Sequence, residues 1–285
     1  MSRYFHLAGI VPIASRPTGY NLPWDDCLIP IAPNYFAIEF AIFQAAMAGC
    51  ETIWVICDPT TVPLVRKRIG DFIYDPATVG SKRLSWMPDK HRRLIPIFYV
   101  PIPEKESYKS SCLPWSIIRG AKTAHEVCGE ISKWTAPSRY FVSFPYGIYD
   151  LKELRPYRRR ISSKNNFTLT HQGDTVFTGN HMSFTFDPDT YQHFFDNFKE
   201  YENEMSNLGE DPYLHFTNDV ELAIIYKNLK QDDTEYFEPS WFYQIDTWDG
   251  YRAYLGSDEA ENLDYPGALF LSYSEWNPIA EEIEE

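Results

Sequence analysis

Tyr4-Phe-His-Leu-Ala-Gly-Ile-Val-Pro-Ile13, then Phe36, Phe40, Phe43 and Met47, then Thr52-Ile-Trp-Val-Ile-Cys57 decide the fold of this chain. The first and last are unbroken apolar runs, the pattern of strands buried on both faces of a parallel sheet. The four residues between them recur at three- and four-residue steps, as on one face of a helix. Gly49 stands where helices commonly end in a left-handed residue. Strand, loop, helix and strand within about fifty residues make a βαβ unit, whose crossover is right-handed by default.

The alternation continues outward. A helix is expected over Val62–Phe72, then a basic loop, the strand Ile95–Pro101, a helical stretch at 115–133 and the strand Arg139–Phe144. This order predicts a three-layer, Rossmann-like α/β fold with a mostly parallel sheet. Beyond Asp150 the texture changes to an antiparallel insertion. Thr168-Leu-Thr170 and Thr175-Val-Phe-Thr178 read as short strands around Gln172-Gly173-Asp174, and Met182–Phe186 as a third. Helices are expected at 189–206 and 217–230. Residues 1–256 read as one domain. Residues 257–285, with Asp258, Glu259, Glu261, Asp264, Glu281, Glu282, Glu284 and Glu285, read as an acidic C-terminal extension.

At 285 residues the chain is long enough for a deep core without staples. Its formal net charge of −14 argues against nucleic-acid binding, which needs a basic footprint. No stretch has the length or apolarity of a membrane span. Cys27, Cys50, Cys57, Cys112 and Cys128 form no CxxC pair and no metal-ligand spacing, so buried, reduced thiols in a cytoplasmic protein are expected. A virus-encoded chain would look the same. With 20 Tyr, 19 Phe and 8 Trp the chain carries large aromatic contact surfaces.

Order and spacing together resemble the sugar-nucleotide pyrophosphorylase (nucleotidyltransferase) family. Leu7-Ala8-Gly9 opens as the family does, and Leu28-Ile-Pro-Ile31 follows at nearly the family's spacing. A helix then ends in Ala48-Gly49 before the strand that contains Ile53. Later, Gln244-Ile-Asp-Thr-Trp-Asp-Gly-Tyr251 is similar to the family's late aspartate element. The resemblance implies nucleotidyl transfer: a sugar phosphate attacks a nucleoside triphosphate and pyrophosphate leaves. It also implies an amide nest, an Arg, a Lys and a magnesium held by two aspartates. On this reading Ala8 and Gly9 would contact nucleotide, and Asp246 would bind the metal. Arg16, Asp26 and Asp246 would carry catalysis if the chain is active.

The chain departs from that pattern. Ile10-Val-Pro-Ile-Ala14 replaces the Gly-rich loop, and proline and β-branched residues are unsuited to a phosphate nest. Asp26 falls at the lysine position, and Tyr146 at the first metal aspartate. Pro114-Trp115-Ser116 lies nearest the family's middle turn. Two functions follow as alternatives. One is a catalytically degenerate member with a binding, structural or assembly role and no cofactor. The other is an active magnesium-dependent enzyme taking nucleotide and sugar phosphate.

Tyr4, Tyr20, Trp24, Tyr35, Tyr146 and Tyr149 are expected around the former triphosphate site, as a protein interface centred on Trp24 and Tyr146 or as internal packing. A protein partner or self-association is the expected contact. The basic runs 82–93 and 155–164 read as solvated faces or as phosphate- or acid-binding patches. Asp25 and Asp26 read as a carboxylate pair or as a helix cap. The histidines, His171 and His181 included, read as satisfied rather than as metal ligands.

Overall fold

Every residue from Leu7 to Pro12 is buried because the strand they form lies between two others. The computed structural model describes residues 5–14, 20–79, 93–109, 112–131, 135–207 and 234–266. Tyr4, Arg16, the basic run from Lys82 to Arg92 and the helix expected at 217–230 lie outside these.

In chain order the strands are β1 (Leu7–Pro12), β2 (Pro30–Ala32), β3 (Tyr35–Phe36), β4 (Thr52–Cys57), β5 (Phe72–Tyr74) and β6 (Leu94–Pro101). They continue with β7 (Arg139–Val142), β8 (Gly147–Ile148), β9 (Asn166–Leu169), β10 (Phe184–Phe186), β11 (Thr234–Phe237) and β12 (Tyr243–Gln244). The helices are α1 (Ala37–Ala48), α2 (Val62–Ile69), α3 (Pro76–Val79), α4 (Leu113–Ile131), α5 (Leu151–Leu154), α6 (Arg158–Ile161), α7 (Pro188–Asn207), α8 (Trp248–Leu255) and α9 (Asp258–Glu261).

Among the described residues the main sheet has eight strands in the order β11-β9-β10-β7-β1-β4-β6-β5. Strands β7, β1, β4 and β6 are parallel, with Gly9 opposite both Ile53 and Phe141. Strand β10 runs antiparallel between β7 and β9, and β5 antiparallel on the far edge. The fold is therefore a mixed α/β one with a mostly parallel sheet.

Side-chain alternation along β1 builds the three layers. Leu7 and Val11 enter the core beneath α1, whereas Ala8 and Ile10 enter the core beneath α4 and α7. Gly9 has no side chain. A methyl there would stand 3.0 Å from the Cβ of Ala45 and 3.2 Å from the Cys50 sulfur, so its bareness lets α1 lie close on the sheet. Helix α1 ends at Gly49 with φ of 98°, and the Cys50 amide returns to the Ala45 carbonyl at 3.1 Å.

Two expectations are corrected. Thr175–Thr178 is not a strand: the Thr175 hydroxyl accepts the Phe177 amide at 3.1 Å and winds Val176–Thr178 into a 3-10 turn. The helix expected to reach Phe72 stops at Ile69, because Gly70, at φ of 85°, turns the chain into the edge strand β5. Residues 257–266 also pack onto the domain through Ala260, Leu263 and Tyr265. No helix among the described residues is long and apolar enough to cross a membrane.

Candidate functional site

The chain order reverses between β1 and β7: β4 and β6 follow on one side of β1, and β7 comes back on the other. In open α/β sheets the crevice beyond the carboxyl ends of two such strands is where ligands bind. Here that crevice receives Ile13 and Ala14 from β1 and Ser143-Phe-Pro-Tyr146 from β7.

Beyond Tyr146 the short strand β8 pairs with β12, and the Ile245 amide donates to the Tyr146 carbonyl at 2.8 Å. This pairing carries Asp246 to the same edge. Tyr20 fixes it from the other side, donating its hydroxyl to the Ile245 carbonyl. The Tyr20 ring meets Trp248 edge-on at 5.1 Å and Tyr251 at 6.0 Å, and the Trp248 indole N–H donates to the Tyr20 carbonyl at 3.2 Å.

Asp246 is held in place. Its Oδ2 accepts the Gln244 amide at 2.8 Å and lies 3.6 Å from Nδ1 of His181. The Gln244 side-chain oxygen, Oε1, in turn accepts the His181 backbone amide at 3.3 Å. The His181 ring is buried against Phe144 at 5.4 Å and Tyr146 at 5.6 Å. Asp26 is 3 % exposed, and Asp25 accepts the Thr61 hydroxyl. The side chain of Asp25 makes no cap on the short 3-10 turn it precedes, so the capping expectation is replaced by this link to the loop before α2.

The phenols sense this acidity. Burial raises Tyr20 far above its ordinary value, and Asp246, Tyr251 and Asp26 raise it further. Burial likewise holds Tyr146 well above its ordinary value, with Cys27, Asp26, Tyr20 and Asp25 adding to it. The carboxylates acting on the two phenols are Asp25, Asp26 and Asp246. The Tyr146 hydroxyl is fully buried and has no hydrogen-bond partner.

A magnesium ion in a phosphoryl-transfer site takes one or two carboxylates together with water and the substrate's phosphate oxygens. Asp246 would be one such carboxylate, already engaged by Gln244 and His181, and the Tyr146 phenol, kept neutral by burial, supplies no second charged oxygen. Among the described residues no three His, Cys, Asp or Glu side chains gather at ligating distance.

Other expected site residues lie elsewhere. Ala8 and Gly9 sit within β1, where Ala8 packs under α4 and Gly9 under α1. Both contribute to helix–sheet packing. Tyr35 packs on Phe40 and Tyr265, and Tyr149 on Phe40 and Phe237, so both belong to the α1 core instead of the crevice. Trp24 is half exposed. In the basic runs, Arg158 pairs with Asp75 and Arg93 with Glu51. Gln244 opens the late aspartate element but had no expected role; β12 ends on it, two residues before Asp246.

No protein-family model and no curated protein matches the sequence. Solved structures do. One is a protein of Bacillus anthracis, provisionally assigned as a glucose-1-phosphate thymidylyltransferase and solved with sucrose. It is 11% identical, with a TM-score of 0.55 over 91% of this chain and 97% of that one. UTP-bound UGPase from Acinetobacter baumannii gives 0.54 at 11% identity, over 98% of this chain and 99% of the other. A UDP-glucose pyrophosphorylase complexed with UDP-glucose gives 0.52 at 12%, over 88% and 97%. The likeness is one of fold: the chain is built as sugar nucleotidyltransferases are.

Proposed function

We propose that this chain keeps the nucleotidyltransferase scaffold without magnesium-dependent nucleotidyl transfer, and acts as a binding or assembly protein. The observation that carries the reading is Tyr146. Where the resemblance calls for a metal aspartate, a neutral phenol stands with its hydroxyl buried and unpartnered.

Nucleotidyl transfer needs the triphosphate charge neutralised as pyrophosphate departs. Acidic groups at the crevice oppose that, since a carboxylate raises the energy of an anion placed beside it. Asp246, tied to Gln244 and His181, is better read as a structural clasp between the β12 loop and the residues after β7. Function belongs to the site and not to the fold, so the scaffold alone assigns no chemistry. Half-exposed Trp24, on the loop leading into the site, supplies an aromatic anchor for a protein contact.

The decisive measurement is pyrophosphate release from each of the four nucleoside triphosphates with a panel of sugar 1-phosphates and magnesium. Background rates are expected throughout. Turnover that Asp246→Asn abolishes would overturn the reading and establish the active enzyme.

A further inference from the structure

Helix α1 is buried on every side but one. Eleven of its twelve residues are buried, and Phe43 alone is only partly so. Phe43 lies one turn from both Phe40 and Met47, and the three form the floor of an open cavity of about 500 Å3, walled by Trp241 and Leu263. That volume falls within the range of about 300–1,000 Å3 typical of ligand clefts.

The rim is acidic. Asp150, Asp258, Glu259 and Asp264 line it, against Lys152 as the cation. Asp150 caps the Lys152 amide, and Glu259 accepts the Tyr243 hydroxyl at 3.3 Å. Asp258 and Asp264 are exposed and have no ion-pair partner among the described residues.

We propose that this groove binds a basic, apolar segment of another polypeptide: a large apolar side chain seated on Phe43 and Trp241, flanked by Lys or Arg facing the rim carboxylates. The apolar floor supplies the burial that gives affinity, and the rim fixes the sign of the partner. Anionic ligands are repelled by four carboxylates against one ammonium. A second copy of this chain brings a net charge of −14 of its own, which opposes close approach, whereas a cationic partner is drawn in. The groove is lined by none of the residues that form the crevice at Tyr146, so the inference stands whether or not that crevice is catalytic.

The test is fluorescence anisotropy of the full chain with a short labelled peptide of alternating lysine and leucine. Lysine–serine and glutamate–leucine peptides serve as controls. Only the lysine–leucine peptide is expected to bind. Asp258→Lys with Asp264→Lys, both on exposed positions, should weaken it at least about tenfold with the thermal melt unchanged. Phe43→Ala should weaken it as well, and if that variant fails to fold the charge variant decides. Absence of binding, equal binding of the lysine–serine peptide, or indifference to the charge reversal would each overturn the proposal. So would self-association of the chain in sedimentation velocity that the charge reversal abolishes, because the occupant would then be a second copy.

Discussion

Arg158 and Asp75 meet in a two-pronged ion pair, Nη1 to Oδ1 and Nη2 to Oδ2, each at 2.7 Å. The Asp75 side chain is 4 % exposed and that of Arg158 22 %. The same guanidinium donates to the Ala46 carbonyl at 3.3 Å, in the last turn of α1. The densest basic run in the chain thus contains a structural clamp tying α6 to α1 and to the start of α3.

Arg158→Ala should cost about 1–3 kcal/mol, because a nearly buried carboxylate would lose its two-pronged, charge-assisted pair. For a chain of this size a thermal midpoint several degrees lower is expected in calorimetry. Arg158→Lys should recover only part of that, since an ammonium cannot make the parallel pair. A melt unchanged by Arg158→Ala would show the clamp to be dispensable.

Tyr146→Phe should leave stability unchanged or raise it by up to about 1 kcal/mol, because it deletes a buried hydroxyl that bonds to nothing. Urea unfolding of the two proteins measures the difference. A loss above about 1 kcal/mol would mean that the hydroxyl is held by a group bound at the crevice.

Alkali should unfold the protein through its buried acids. Burial raises the phenols of Tyr20, Tyr35, Tyr146 and Tyr149 above their ordinary values, and pushes the Cys57 thiol up to about 12. These groups bind their protons more tightly folded than unfolded. Their contribution is therefore complete below the unfolded values, about 8.5 for a thiol and about 10 for a phenol, and is lost as pH rises toward the folded ones. The urea midpoint should hold near neutral pH and decline above about pH 9. Tyrosinate absorbance should rise in step with loss of the folded circular dichroism signal. Ionisation of all phenols in the still-folded chain would contradict this.

Gly120→Ala should destabilise by about 1–3 kcal/mol, since α4 lies close on the sheet there. The added methyl would come within 2.5 Å of Ile56 Cδ1 and 2.9 Å of Ile10 Cγ2, both packed in the same core. Calorimetry on the single variant decides it, and a midpoint equal to the parent's would mean that the two isoleucines yield freely.

The sheet was legible where burial acts on both faces of a strand. Leu7–Pro12 and Thr52–Cys57 are continuous apolar runs because each has a strand on either side and a helix layer above and below. Strand β5 was not legible: Phe72-Ile-Tyr74 is three residues long and follows a helix directly. At the site, Asp246 and Tyr146 could be placed from motif order alone. The clasp on Asp246 could not, because the His181 amide meets Gln244 across 63 residues and only the folded chain joins them. The described aromatics expected together divided, with Tyr20 and Tyr146 at the crevice, Tyr35 and Tyr149 under α1, and Trp24 half exposed. Composition records how many rings a chain has and not which face each one leaves by.

Glu39 is wholly buried, and its charge is met by Arg68 at 2.8 Å, by the Phe36 amide at 2.9 Å and by the Tyr265 hydroxyl at 3.1 Å. Tyr254 likewise donates to the Ile31 carbonyl at 2.9 Å and Tyr251 to that of Pro30 at 2.5 Å, more than 220 residues back along the chain. On the ribosome, then, the first helix and hairpin emerge long before the groups that complete them exist. Loop closure over such separations is slow and comes late. The hydrogen bonds that complete α1 and the β2–β3 hairpin can therefore form only after α8 and Tyr265 have been made, and that unit is open to misassembly until then.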